Sequence, residues 1–205
     1  MPDERGGRPR DAQLDRAILE AARELLAVSS YAQLSLESVA VRAQVGKKTL
    51  YRRWPSKAPL VADAVLDAYG RGGSFGVPDT TDIRADLQSW LVEHAEFIAD
   101  PSNAALIRAL IAAAASNPSD NNALYERLSA PQHAGLMTRL RHAVEQGELR
   151  PEADLDAIAK ALIGTLLLEV LTRTARSVAR ATRYDGLLDA ILQGASGNTR
   201  ERGGG

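Results

Sequence analysis

Between Glu37 and Asp63 the chain carries no Asp or Glu, while Arg42, Lys47, Lys48, Arg52, Arg53 and Lys57 all fall inside that window. From Ser35 onward, apolar residues recur there at helical spacing: Leu36, Val39, Ala40 and Ala43, then Val45 and Leu50. The pattern predicts two short helices joined by a tight turn, the second packing back on the first through Val45 and Leu50. A short, rigidly mounted, acid-free helix suits the DNA major groove, where phosphates attract positive charge and base edges need donors. The segment is expected to bind DNA.

The flanking sequence extends the helical reading. Leu14, Ile18, Ala21, Ala22, Leu25 and Leu26 make one apolar stripe, so a first helix is expected from about Asp11 to Val28. Residues 1–10 are rich in Gly, Pro and Arg, which predicts a disordered arm; Arg8 and Arg10 would reach a minor groove or simply solubilise the terminus. Ser35 is placed to cap the second helix, with Glu37 favourable to its dipole. Pro55 ends the third helix, Ser56 can cap the fourth, and Pro59 fits its first turn. The head therefore spans 11–57, followed by a connecting helix at 58–69 and a Gly/Pro-rich boundary at 70–81. Residues 82–194 read as helix after helix, with breaks near Pro101, Pro118 and Pro131, and 195–205 as a polar, Gly-rich tail expected to be disordered. No strand-like alternation occurs. The expected fold is all-α, with about nine helices: a three-helix helix-turn-helix head and a larger antiparallel helical body. Aromatic residues are only 4% while hydrophobic residues reach 45%, so an aliphatic, Ala-based core is expected.

Other functions find little support. With no cysteine, neither a disulfide framework nor a thiolate metal site can form. His94, His133 and His142 show no i, i+4 pairing, so no metal is expected. Gly46-Lys47-Lys48-Thr49 lacks the earlier glycine and preceding strand of a phosphate loop, and no G-x-S-x-G occurs. Neither an enzyme nor a cofactor is expected. The mainly apolar run 161–168 falls far short of the ~18 residues of a membrane span. No secretion signal is read at the N-terminus, so a soluble, cytoplasmic protein with no membrane partner is expected. The net charge of −1 conceals an asymmetry: residues 1–57 hold 11 Lys and Arg against 7 Asp and Glu, a balance of +4, leaving −5 for the rest. Such segregation suits a polyanion-facing head and a body with other duties.

The order of an apolar first helix, S-L-E-S-V-A, A-x-V and T-L-Y-R-R-W-P-S-K, from about Asp15 to Leu66, resembles the TetR family of bacterial transcriptional regulators. Two positions depart from the usual pattern. The turn commonly written A-G-V-S is Ala43-Gln44-Val45-Gly46, and Ser30 replaces a common glycine ahead of Tyr31. If the turn needs a positive φ, Gln44 loses glycine's freedom at a cost of roughly 1 kcal/mol.

At the N-terminal end of the recognition helix, Lys47 and Lys48 can donate to guanine O6 and N7, and the Thr49 methyl can touch thymine. Tyr51 and Arg52 are long enough for phosphate or a neighbouring base. Arg42 and Gln44 complete the candidate set, and the resemblance implies that Tyr51 and Lys57 contact the DNA backbone. The competing readings are packing of Tyr51 and Trp54 within the head, favoured for Trp54, and solvated surface charge for Arg42 and Arg53.

In the body, apolar positions between Leu155 and Leu171 cover more than one helical face, which requires cover on both sides. The resemblance implies a homodimer paired through the last two helices, with Leu162, Leu166, Val170, Leu187 and Ile191 as candidates; a wholly internal core helix is the alternative. It also implies a small-molecule effector held in the body, with Trp90, His94, Phe97, Leu110, Met137, Leu140, Leu166 and Glu169 as pocket candidates that would serve equally well as core. Glu169 interrupts the apolar run LLLEVL and needs a partner, solvent or a ligand. The expected function is a homodimeric repressor that leaves its double-stranded DNA operator when the effector binds. The alternatives are a DNA-binding architectural or interaction protein without a ligand, and a helical enzyme with an unrecognised site.

Overall fold

The computed structural model describes residues 8–72, 76–116, 118–172 and 184–195. These are helical and contain no strand: α1 (Arg8–Val28), α2 (Leu36–Arg42), α3 (Lys47–Arg53), α4 (Lys57–Gly72), α5 (Ile83–Phe97), α6 (Pro101–Ser116), α7 (Pro118–Leu124), a π turn (Tyr125–Ser129), α8 (Ala130–Glu145), α9 (Leu155–Thr172) and α10 (Asp185–Ala195). The all-α class expected from the sequence is the class observed. Among the described residues, no single helix is long and apolar enough to cross a membrane.

Two compact units form. The first takes residues 1–74 and 97–130. Here α2 packs on α1 and α3, while α6 packs on α1 and α4 and is joined by α7. Ile18, Ala22 and Leu26 of α1, Val39, Leu50, Leu60, Val61, Val65, Leu106 and Ala113 are all buried. By packing, α6 and α7 therefore group with the helices read as head and connector, because α6 buries Ala104, Ala105, Leu106, Ile107, Ala109 and Ala113.

The second unit takes residues 75–96 and 131–205. Its core gathers Leu87, Trp90 and Leu91 of α5, Leu136, Leu140 and Ala143 of α8, Ile158, Ala159, Leu162 and Leu166 of α9, and Tyr184 and Leu188.

Several boundaries differ from expectation. α1 starts at Arg8, inside the expected disordered arm, and α4 continues to Gly72. Residues 1–7 and 196–205, the remainder of the expected arm and tail, lie outside the described residues. At Pro131 the expected break takes the form of the π turn just before α8. Proline has no N–H for the α-helical bond and its ring crowds the preceding turn, so a locally wider helix relieves both problems.

Candidate nucleic-acid interface

The local sequence sets how α2 and α3 are mounted. Ser35 is extended and its hydroxyl accepts from the Ser38 N–H at 3.0 Å, while the Ser35 N–H donates to the Ser38 hydroxyl at 3.3 Å. This reciprocal cap satisfies two donors that the helix start would leave open. After α2 the chain reverses through Gln44, whose φ of 55° lies in the left-handed region. The Val45 N–H then closes onto the Ala40 carbonyl at 2.9 Å. Gly46 caps α3 through its backbone alone, with no side-chain bond.

Leu50 is fully buried and Trp54 nearly so, which turns the opposite side of α3 outward. The Trp54 indole N–H donates to Asp63 at 2.8 Å, and Asp63 also pairs with Arg127 at 3.1 Å. Trp54 is thus a packing residue, as the sequence reading favoured.

Of the candidate DNA contacts, Arg42, Gln44, Lys47, Lys48, Tyr51 and Arg52 are exposed, and Thr49 and Lys57 are half-buried. The exposed members fall into two groups. Arg42 donates through Nε to Glu24 at 2.6 Å, and the Tyr51 hydroxyl donates to Glu37 at 2.5 Å. That bond raises the Tyr51 pKa and is the largest cause lowering that of Glu37, with nearby Lys47 a smaller one. The side chains of Lys47, Lys48 and Arg52 make no hydrogen bond or ion pair among the described residues. Lys57 donates to the Tyr31 and Leu34 carbonyls at 2.8 and 3.3 Å and sits 4.3 Å over the Tyr31 ring, which braces the entry to α2. Arg53 pairs with Asp15 of α1.

The result is a rigid helix with unpaired cations on its outer face, an arrangement suited to a polyanion. Sequence reading missed Glu24 and Glu37 as partners. Their signal was weak, since Glu37 also satisfies the helix dipole and Glu24 resembles any solvated carboxylate.

The body candidates separate between the units. In the second, Trp90, Leu140 and Leu166 lie in the core and Met137 packs against it. His94 is buried, its ring 4.2 Å from that of Trp90 and its Nδ1 2.8 Å from the Trp90 carbonyl. A carbonyl only accepts, so Nδ1 carries the proton; burial pushes the His94 pKa down to about 4. Glu169 is half-buried and accepts from the Tyr184 hydroxyl at 3.1 Å, which supplies a partner for the charge inside LLLEVL. In the first unit, Phe97 and Leu110 are half-buried, and Phe97 stacks on Tyr69 at 3.8 Å.

Among the dimer candidates, Leu162, Leu166 and Val170 are buried within their own unit, and Leu187 and Ile191 pack partly buried against its core. The exposed side of α9 instead carries Leu167, Leu168 and Leu171, at 38%, 60% and 60% exposure.

Two features had no sequence forecast. The Arg139 side chain is 1% exposed and donates to Asp86 at 2.6 Å, Glu148 at 3.0 Å and the Thr80 carbonyl at 3.3 Å. Asp86 also accepts from the Thr80 N–H and hydroxyl. Burial alone would raise the Asp86 pKa, but those bonds and the guanidinium lower it on balance. The second feature is a cleft of about 520 Å³ in the first unit, between the end of α1 and α6, with Leu26, Tyr31, Gln33, Ala105 and Arg108 among its lining. None of the expected pocket residues lines it.

Comparison with known proteins covers both halves of the chain. Residues 18–64 match the model for bacterial regulatory proteins of the tetR family, and 77–191 the model for tetracyclin repressor-like C-terminal domains. The HTH-type transcriptional regulator YdeS of Bacillus subtilis (strain 168) is 27% identical over 165 residues, 80% of this chain and 82% of that protein. The DNA-binding transcriptional repressor TetR of Mycobacteroides abscessus is 31% identical over 145 residues, covering 69% and 74%. Among solved structures, the TetR family transcription regulator SCO0332 is 32% identical with a TM-score of 0.65, covering 89% of this chain and 98% of that one.

Proposed function

The chain belongs to the TetR family and is a DNA-binding transcriptional regulator; from that premise we propose that it is a homodimeric repressor, released from its operator by a small-molecule effector. The observation that carries the DNA half is the outer face of α3, where Lys47, Lys48 and Arg52 stand exposed behind a buried Leu50. In this reading Lys47, Lys48 and Thr49 meet base edges, Gln44 and Arg52 reach base or phosphate, and Arg42, Tyr51 and Lys57 hold the backbone. Repression is supported by the name of the M. abscessus relative, a transcriptional repressor.

Pairing of two copies is supported by α9. Ala157, Ala161, Gly164, Leu168 and Leu171 are all exposed and recur at three- and four-residue spacing. A helix stripe of that kind leaves large apolar side chains in water unless a second helix covers it. Leu162, Leu166 and Val170 then back the interface from inside, and Leu187 and Ile191 of α10 adjoin the same core.

For the effector, Trp90, Met137, Leu140 and Leu166 offer apolar wall in the second unit, and His94 and Glu169 offer polar anchors. Phe97 and Leu110, the remaining candidates, belong to the first unit. The effector acts by preferring one spacing of the paired heads while DNA prefers another.

The test is a gel-shift titration at fixed salt on a duplex selected by the wild-type protein. Lys48→Ala is expected to weaken binding roughly tenfold, the worth of one base or phosphate contact, with an unchanged thermal melt. Unchanged affinity would contradict the assignment of α3.

A further inference from the structure

Tyr51 has one hydroxyl proton, and in this structure that proton goes to Glu37 at 2.5 Å. A DNA phosphate oxygen is also an acceptor, so the same proton cannot serve both. Glu37 is the only acidic residue across residues 25–62, the segment that holds α2, α3 and the start of α4. Its carboxylate is exposed, bonded to the recognition helix through Tyr51, and close enough to Lys47 for that charge to lower its pKa. A phosphate-binding face gains nothing from an anion held in this position. A base-reading face can.

In the major groove, cytosine N4 and adenine N6 present hydrogen-bond donors, while guanine presents O6 and N7 and thymine O4, all acceptors. A carboxylate brought against acceptors loses water without compensation, whereas an exocyclic amino group satisfies it.

We propose that Glu37 is a specificity-determining residue: held by Tyr51, its carboxylate accepts from a cytosine or adenine amino group and disfavours duplexes that present an acceptor there. The inference rests on the reading of α3 as the groove-reading helix. Tyr51 is then a positioning residue for Glu37, in place of the backbone donor it was proposed to be above, and the two act as a unit.

The experiment selects duplexes from a random pool with wild type, Glu37→Gln and Tyr51→Phe. Titrations at fixed salt follow, on the wild-type-selected duplex and on a shuffled duplex of equal length. Glu37→Gln is expected to lose the preference for C or A at one position of each half-site and to keep the others. Its ratio of selected to shuffled affinity should fall roughly tenfold, mainly through tighter binding of the shuffled duplex. Tyr51→Phe should weaken preference at that same position.

An unchanged motif, with both duplexes gaining affinity by one common factor, would mean that only a charge had been removed and would overturn the proposal. So would a Tyr51→Phe motif altered only elsewhere. Failure of the wild type to select any motif would contradict the groove reading itself and the proposal with it. Should Glu37→Gln melt early, Glu37→Asp keeps the charge on a shorter arm and is expected to weaken the same position; no change there would also count against it.

Discussion

At Gln44 a side chain occupies backbone that glycine adopts at no steric cost, with φ at 55°. The sequence pointed there, because glycine is usual in this turn and Gln44 replaces it. What a single residue reveals depends on whether its chemistry has one use or several. Trp54 has one: a large ring beside a helix end packs, and its N–H finds Asp63 at 2.8 Å. Tyr51 has several, and only the folded structure selects Glu37 as its partner. His94 likewise looked fit for a ligand, yet its Nδ1–H is committed to the Trp90 carbonyl. Its buried ring carries a pH prediction. Burial lowers its pKa to about 4, against about 6.5 when unfolded, so the unfolded chain takes up the proton first as pH falls. Stability from this group is complete above about pH 6.5 and is lost between there and about 4, a span of order 3 kcal/mol. Urea melts at pH 7 and pH 5 should differ more for wild type than for His94→Gln, which keeps an N–H but no titration in this range. Equal differences would contradict the account.

Helices were legible where one signal dominated. The apolar stripe of α1, Ser35 before α2 and Pro55 after α3 gave those elements to within a few residues. At Pro131 the sequence announced a break, but not its form as a π turn. Least legible was the tie between elements that Arg139 makes. Asp86, Arg139 and Glu148 read as ordinary solvated charges, because charge spacing along one helix says nothing about what another brings to it. In the structure Arg139 of α8 and Asp86 of α5 have side chains only 1% and 2% exposed. Removing Arg139 leaves the Asp86 charge buried with only the Thr80 N–H and hydroxyl to offset it. Arg139→Met is therefore expected to destabilise the protein by about 3–5 kcal/mol in denaturant melts. A loss under about 1 kcal/mol would mean that water reaches the carboxylates and that the cluster is weakly coupled.

For the molecule entire, the sequence already separated a +4 segment from a −5 remainder. Lys47, Lys48 and Arg52, which it singled out, stand exposed on α3, because exposed cations on a short helix are a requirement written locally. The proposed dimer face was harder. α9 is apolar on most sides, so periodicity could not distinguish Leu162, which is fully buried, from Leu168, which is 60% exposed. In the proposed dimer, two copies of α3, joined through α9, enter successive turns of one duplex. A hydroxyl-radical footprint on the selected operator tests this most directly, with wild type and Leu168→Glu compared at equal concentration. Wild type is expected to protect two patches about one helical turn apart, ~34 Å, and Leu168→Glu, made monomeric by a charge on the α9 face, to lose both. One unbroken patch with no repeat, or a two-patch footprint that Leu168→Glu leaves intact, would contradict it.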